Sequence, residues 1–310
     1  MLTKLTNSQK IVLSGHETFP LRFLWLKRAI DSIDGHNDDS KEVFTDVDAI
    51  SRFGVGKNMV ASIRHWAIIS KVITAEASGY SITPFGRLVF GGEGIDPFFE
   101  FEVTPLLVHW NIVSNPSIFA WHHAFSSFPD NEFGRDDISN WIISKLTSLA
   151  ASKISSNTVK KDVACFIRTY ALSSAPSESD SEAYESPLTT IGFIVQYGKR
   201  DGFRFIVKQA SEIPLGAFMF ALVDYWRNSE RFSNSNTIPL VSIKSDPKSV
   251  GRLFRISPIG VEELAVRLAN DYSELFGVVL TGGMSHISIK RSIHELSLET
   301  IVKEAYELSA

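Results

Sequence analysis

Residues 44–90 carry the pattern that most restricts how this chain can fold. A short helical segment ends at a Gly-Val-Gly turn at 54–56, and a second helical segment follows at about 57–69. Glycine favours a tight turn because it adopts positive φ at little cost. Two strand-like runs within residues 72–83 lie on either side of Ala-Ser-Gly at 77–79, as in a hairpin. This order of helix, turn, helix and two-stranded wing predicts a winged helix-turn-helix unit.

The charge of this unit is opposite in sign to that of the chain. The sequence has 31 Lys and Arg against 35 Asp and Glu, a formal net charge of −4, so a contact with nucleic acid needs a local basic patch. Between residues 52 and 87 there are five bases and one acid, a local charge of +4. A recognition helix in the major groove and bases near the wing would use this charge. The candidate DNA-contacting residues are Lys57, Asn58, Arg64, His65 and Arg87. A winged helix can also be a protein-interaction module, an alternative that the fold alone does not decide.

A similar pattern returns near the C-terminus. Residues 254–260 repeat the strand end, capping hydroxyl, proline and glycine of residues 80–86. Together with an aromatic helix upstream, this repetition predicts a second, more degenerate winged-helix-like unit at 215–270. Lys248 and Arg252 are its candidates for DNA contact.

Composition divides the chain of 310 residues into three predicted domains. A Ser-rich stretch at 173–185 holds four acids and no base, which predicts a linker. We therefore expect an N-terminal winged helix-turn-helix domain at 1–95, a helical, aromatic-rich middle domain at 96–172 and a C-terminal domain at 186–310. The expected fold class is mainly α with small β-wings.

The middle domain is predicted to build its core from aromatic side chains. No Lys or Arg occurs between Pro97 and Pro129, which favours a helical core over a base-stacking platform. Later in this domain, Ser156 is expected to cap a further recognition-type helix that begins with residues 157–162.

The remaining composition restricts the compartment and the chemistry. No apolar run reaches the ~18 residues of a membrane span, and the N-terminus lacks the apolar core of a signal peptide. The one cysteine, Cys165, excludes a disulfide framework and a thiolate zinc site, so we expect a cytoplasmic protein. Gly54–Asn58 is similar to the tail of a phosphate-binding loop but lacks its upstream glycine and strand, which argues against ATP hydrolysis.

The candidates for catalysis are His16 and Glu17, directly before the first long helix. A carboxylate beside an imidazole can orient it, bind a metal or act with it as a general base. Adjacent residues of a strand point to opposite faces, so a direct contact between the His16 and Glu17 side chains requires a bend of the chain at this point. The structural alternative is that both side chains make hydrogen bonds that tether this segment. Elsewhere, the nuclease-like run at 201–208 lacks the second acid that such sites use.

Two N-terminal motifs carry a family resemblance. GHETFPLRFLWLKRA at 15–29 and FGVGKNMVASIRHWA at 53–67 resemble a bacterial family of formerly unknown function, whose genes often lie beside those of DNA phosphorothioation. Within it, the chain is similar over nearly its whole length to the B component of Ssp-type single-strand phosphorothioation systems. The resemblance implies nicking of DNA, which gives partners access to the backbone where sulfur replaces a non-bridging oxygen. The implied partners are a cysteine desulfurase, an ATPase and a reductase-like adenylating enzyme. The motif also adds Ser62 to the candidate DNA-contacting residues.

Together these patterns lead to one expectation and two alternatives. We expect a winged-helix protein that binds double-stranded DNA and nicks one strand for phosphorothioation. The sequence does not identify a cofactor; a divalent cation, Mg²⁺ or Mn²⁺, is the candidate. The first alternative is a non-enzymatic recognition subunit or transcriptional regulator, and the second is a scaffold that docks the sulfur-transfer enzymes.

Overall fold

Helices make up most of the regular structure in this computed structural model, which describes residues 11–35, 42–45, 47–149, 154–172, 186–198, 201–280 and 285–308. Within these ranges the α-helices are α1 Trp25–Asp34, α2 Ala49–Phe53, α3 Lys57–Ile69, α4 Pro84–Phe90, α5 Val103–Val113, α6 Phe119–Ser126, α7 Arg135–Ser148, α8 Ser156–Tyr170, α9 Leu215–Arg227, α10 Leu240–Ser245, α11 Val250–Leu253, α12 Pro258–Asp271 and α13 Leu298–Glu307. All the helices of the described part are too short or too polar to span a bilayer.

The strands are short and form small, mostly antiparallel sheets. They are β1 Ile73–Glu76, β2 Gly79–Ile82, β3 Glu132–Gly134, β4 Ala171–Leu172, β5 Ile194–Gln196, β6 Gly202–Phe205, β7 Thr237–Pro239, β8 Phe276–Val279 and β9 His286–Ile289. β1 pairs with β2, a second sheet has the order β3-β6-β5-β4, and a third has the order β7-β9-β8. The pairing is antiparallel except between β4 and β5. The predicted class, mainly helical with small sheets, is confirmed.

The chain divides into two compact units. The first contains Met1–Phe98 and Asn111–Phe205, and the second contains Phe99–Trp110 and Ile206–Ala310. The first unit thus combines most of the first two predicted domains, but Phe99–Trp110 of the predicted middle domain belongs to the second unit, and residues 186–205 of the predicted C-terminal domain belong to the first. Whether each predicted domain folds alone stays a prediction. The predicted linker at 173–185 lies outside the described residues.

In the first unit, a helix, a turn, a helix and a hairpin follow one another as predicted. α2 ends at Gly54, whose φ of 63° is left-handed and suits glycine. α3 then buries Ile63 and Trp66 completely. The hairpin pairs Ile73 with Ile82 and Glu76 with Gly79. Only Ile73 of β1 is buried, and the rest of that strand is exposed.

Two longer stretches share one order of elements: a helix, a short strand, two helices and a hairpin. In residues 119–205 these are α6, β3, α7, α8 and β5–β6, and in residues 215–289 they are α9, β7, α10, α12 and β8–β9, with α11 added. In both sheets the last strand of the hairpin pairs with the first strand of the stretch. The second predicted unit, at 215–270, therefore stopped short of the hairpin that completes this order.

Proline and a hydroxyl begin helices in both units, as the repeated sequence pattern predicts. Thr83 accepts a hydrogen bond from the Gly86 amide over 2.9 Å at the start of α4. Ser257 accepts one from the Gly260 amide over 3.0 Å at the start of α12. Each hydroxyl satisfies an amide that would otherwise lack a partner in the first turn. α8 is capped one residue earlier than expected, by Ser155.

Aromatic side chains form the core of the first unit. Trp121 lies 5.8 Å from Trp66 and 5.9 Å from Phe166 between ring centroids, edge to face in both pairs. The rings Phe119, Trp121, Phe125, Phe128 and Phe133 are all buried. This confirms the core interpretation for these residues of the predicted middle domain. Phe98, by contrast, is 51% exposed.

Candidate functional site

Residues Ser14–Phe19, here called the N-terminal loop, have an unusual backbone. Ser14, Glu17 and Thr18 have φ values of 64°, 47° and 69°. Non-glycine residues rarely adopt positive φ, least of all β-branched threonine. Each such residue costs roughly 1–3 kcal/mol and persists only where surrounding contacts impose it. The loop therefore needs strong tertiary contacts, and α3 and α8 supply them.

α3 holds the carbonyl groups of the N-terminal loop. The Ser62 hydroxyl donates to the His16 carbonyl over 2.9 Å. One turn further along, the Trp66 indole N–H donates to the Phe19 carbonyl over 3.0 Å. Because positions 62 and 66 are four residues apart, they lie on the same face of the helix. This face of α3 therefore fixes both ends of the His16–Phe19 turn.

α8 holds the loop from a second helix face. The Asp162 carboxylate accepts from the Ser14 amide over 2.9 Å, and the Cys165 thiol contacts the Phe19 carbonyl at 3.3 Å. The guanidinium of Arg168 donates to the Thr18 carbonyl. Burial raises the pKa of the Cys165 thiol, which keeps it protonated and unreactive.

His16 and Asp162 form a buried pair. His16 and Asp162 are each 1% exposed, and His16 Nε2 lies 3.0 Å from Asp162 Oδ1. The Thr18 amide donates to Nδ1 of His16 over 3.0 Å, so Nδ1 carries no proton and Nε2 donates its own to the carboxylate. The ring is neutral and both of its nitrogens are engaged. In this conformation His16 positions the loop, the hydrogen-bonding role left open by the sequence.

Glu17 faces solvent, in contrast to His16. It is exposed at the outside of the loop, while the neighbouring imidazole is buried. The chain does bend between His16 and Glu17, as a direct contact between them would require. The bend nevertheless turns the two side chains apart, one to the interior and one to solvent. Of the two predicted catalytic residues, Glu17 is the one that a substrate can reach.

Close packing explains the glycine and the histidine beside this loop. A Cβ built on Gly15 would lie 2.3 Å from Nδ1 of His65, so a larger residue would displace the ring. His65 is half-buried, and its ring centroid lies 6.0 Å from that of His16. Burial first, then the nearby His16 and Arg64, lowers the pKa of His65 to about 3. His65 is therefore neutral near pH 7 and adds no positive charge to a DNA-contacting surface.

The predicted DNA-contacting residues of α3 have different surroundings. Lys57 and Asn58 are exposed in its first turn. Arg64 is half-buried, with Nη1 3.4 Å from the Tyr80 hydroxyl of the hairpin. Ser62 is fully buried and its hydroxyl is already used on the loop, so we remove it from the DNA-contacting set. Ser62 was a candidate because it belongs to the family motif, and its hydrogen bond to the N-terminal loop is a structural reason for a serine at this position.

The other predicted basic residues belong to other elements of the fold. Arg87 of α4 is exposed, and its Nη1 donates to both carboxylate oxygens of Asp34 over 2.9 and 2.8 Å. Asp34 offsets its charge, so a phosphate would compete with this pair. Lys248 and Arg252 are exposed around the start of α11, in the second unit.

Sequence reasoning missed Asp162 and Arg168. Asp162 belongs to α8 and shares its buried side with Val159 and Phe166. An acid at a buried position of an amphipathic helix requires a partner, which is the signal that could have singled it out. Its partner, however, is 146 residues away in sequence.

The arrangement of acidic, histidine and cysteine side chains bears on metal binding. Within the part of the chain that the structure describes, no group of three or more His, Cys, Asp or Glu side chains is placed to hold a metal ion. The N-terminal loop offers the Glu17 carboxylate to solvent, while the Asp162 carboxylate is used internally.

The fold is similar to that of solved SspB structures. The magnesium ion-bound SspB crystal structure matches with a TM-score of 0.81 and 23% identity, over 96% of this chain and 86% of that one. A second SspB crystal structure matches with a TM-score of 0.78, at the same identity and coverage. A search of the curated proteins finds no match. The model of a family described as a protein of unknown function, DUF4007, matches residues 13–306. This chain therefore belongs to the DUF4007 family.

Proposed function

We propose that this protein binds double-stranded DNA and nicks one strand in a cytoplasmic DNA phosphorothioation system. In this proposal α2, α3 and the β1–β2 hairpin act as a winged helix-turn-helix, with α3 as the recognition helix. The sequence resemblance and the likeness of the fold to SspB support a place in such a system. The cysteine desulfurase, ATPase and reductase-like adenylating enzyme of the system are the proposed protein partners.

The exposed side of α3 carries the DNA-binding part of the proposal. Lys57 and Asn58 are exposed in the first turn, and Arg64 lies two turns later. The helix contains no acid, so nothing within it repels a phosphate. Each phosphate that a Lys or Arg neutralises releases counterions and steepens the salt dependence of binding by about 0.9 in log–log slope.

The N-terminal loop carries the nicking part. Hydrolysis of a phosphodiester requires a group that orients or deprotonates the attacking water. Glu17 is the exposed carboxylate of the loop, and the contacts from α3 and α8 hold its backbone in place. We assign Glu17 to the reacting phosphate and His16 to positioning, because both nitrogens of the His16 ring are engaged.

A divalent cation fits this site only together with DNA. Mg²⁺ in proteins is often held by one or two carboxylates plus substrate phosphates and water. Glu17 would supply a carboxylate, and the cation would stabilise negative charge on the phosphate under attack. The magnesium-bound SspB structure is a further reason to test Mg²⁺ first.

The decisive experiment uses supercoiled plasmid with Mg²⁺, Mn²⁺ or EDTA, and a gel shift on the same DNA. We expect open circles with metal, full binding but no nicking for Glu17→Gln, and weaker binding for Lys57→Gln. Lys303→Gln, an exposed position on α13 in the second unit, is the control. Nicking by Glu17→Gln at the wild-type rate would remove this residue from the mechanism.

One alternative is a recognition subunit that binds DNA without cutting it. It is supported by the His16 ring, both of whose nitrogens are hydrogen-bonded within the protein. A DNA shift with no nicking under any metal condition would select this alternative. The scaffold alternative predicts no DNA affinity even at low salt.

A further inference from the structure

α8 occupies the same place in its stretch of chain as α3 does in the first one. α3 is the helix directly before the β1–β2 hairpin. α8 is the last α-helix before the β5–β6 hairpin, with β4 and a 3-10 helix at Pro187–Ile191 between them. In a helix-turn-helix arrangement the helix at this place is the one that contacts the DNA groove. The shared order of elements thus makes α8 a candidate for DNA contact as well.

One face of α8 is exposed and basic. Asn157, Lys161 and Arg168 are exposed, and their spacing of four and seven residues places them along one side of the helix. Lys160 is also exposed and pairs with Asp136 over 3.3 Å. The acid of the helix, Asp162, is buried and hydrogen-bonded to the loop. The solvent side of α8 therefore presents three cations and no acid of its own.

Lys161 is the cation of this face that binds neither an acid nor a backbone group among the described residues. Lys160 shares its charge with Asp136, and Arg168 donates to the Thr18 carbonyl. For Lys161, the residues that the structure describes include no carboxylate within salt-bridge distance and no hydrogen-bond partner of its side chain.

α3 and α8 both hold the N-terminal loop, and each also has basic residues at its solvent side. Ser62 on α3 and Asp162 on α8 both bond to the N-terminal loop, at His16 and Ser14. On α3, Lys57 and Arg64 lie on a different side of the helix from Ser62 and turn toward solvent. On α8, Lys161 directly precedes Asp162, and Arg168 itself donates to the loop. The loop that presents Glu17 is thus bordered by two helices with basic solvent faces, all within the first unit.

We propose that α8 is a second DNA-contacting helix and that Lys161 binds a backbone phosphate beside the N-terminal loop. The proposal rests on the proposed DNA binding and adds a second surface to it. Duplex DNA is the occupant that the charge favours, because its phosphates form an extended anionic surface that two separated basic helices can contact together. A duplex held from both sides of the loop brings a phosphodiester to Glu17.

The test measures the dissociation constant for a duplex at several salt concentrations, for wild type and for Lys161→Gln and Lys57→Gln. Loss of one phosphate contact lowers the log–log salt slope by about 0.9, which corresponds to about fivefold weaker binding at 0.15 M salt. We expect about fivefold weaker binding for each single variant and about twenty-five-fold weaker binding for the double variant Lys57→Gln/Lys161→Gln. Lys303→Gln is again the control, and thermal melting verifies that each variant is folded.

The outcomes separate the two proposals. If wild type binds and Lys57→Gln weakens binding, but Lys161→Gln keeps the wild-type affinity and slope, the α8 surface is wrong and the proposed function stands. If wild type does not bind DNA at low salt, the proposed function itself fails. Weaker binding of Lys161→Gln to polyglutamate, with unchanged binding to DNA, would assign α8 to an acidic protein partner and overturn the proposal.

Discussion

His16 Nε2 donates to Asp162 Oδ1 over 3.0 Å and joins two buried side chains that are 146 residues apart in the sequence. The same carboxylate oxygen accepts from the Ser14 amide. The histidine that precedes Glu17 in the sequence thus finds its partner in an acid of a distant helix. The exposed carboxylate of Glu17 and the buried carboxylate that holds the loop belong to different residues.

Replacing Asp162 with Ala removes the acceptor for two buried N–H groups. Each buried donor left without a partner costs about 1–3 kcal/mol. We expect Asp162→Ala to lower the free energy of unfolding by about 2–4 kcal/mol in urea denaturation. Asp136→Ala on α7, where the side chain is 80% exposed, is the matched control and should change it by under about 0.5 kcal/mol. Equal effects at the two positions would contradict the pair's role.

Adding a methyl group at residue 15 should force the His65 ring out of place. The new Cβ of Gly15→Ala would be 2.3 Å from Nδ1, and overpacking of this kind costs about 1–3 kcal/mol. The double variant with His65→Ala should lose less stability than the sum of the two single changes, because the clash is gone. Strict additivity in this double-mutant cycle would show that the contact is not the cause.

Ser62→Ala separates a structural role from a DNA-contacting one. The variant loses a buried hydrogen bond to the His16 carbonyl, so we expect about 1–2 kcal/mol lower stability. Its DNA affinity, measured well below the unfolding temperature, should keep the wild-type salt slope, unlike that of Lys57→Gln. A reduced slope for Ser62→Ala would return this serine to the DNA-contacting set.

The stability of the protein should fall as the pH drops below about 6.5. The pKa of His65 is about 3 in the folded protein, against about 6.5 in an unfolded chain. Between these values the unfolded chain binds a proton that the folded chain does not, so acid favours unfolding by up to about 1.4 kcal/mol per pH unit. His65→Gln should make this decline shallower between pH 6.5 and 4.5, with no difference in slope between pH 7.5 and 9. The half-buried ring, which water reaches, makes the expected change smaller than the full value.

Local patterns predicted the elements around residues 49–90 well, because turns and caps depend on neighbouring residues. Gly54 at the end of α2 and Thr83 before α4 act as their residue types indicate. Ser62 and Asp162 were beyond this reasoning, since their partners in the N-terminal loop are distant in sequence. The stretch 119–205 was missed as a unit because its first strand, β3, has three residues and too little periodicity to be recognised.

The dependence of the N-terminal loop on α8 has a consequence for biosynthesis. Ser14–Phe19 is translated before α8, yet the carboxylate and the guanidinium that hold it belong to residues 162 and 168. At about 5–20 residues per second, the 146 residues between His16 and Asp162 take about 7–30 s to translate. During this interval the contacts from α8 that stabilise the positive φ angles of the turn are missing. The loop that presents Glu17 is therefore assembled only once α8 has been made, so a truncated chain ending before α8 would keep its basic α3 but lack an ordered Glu17.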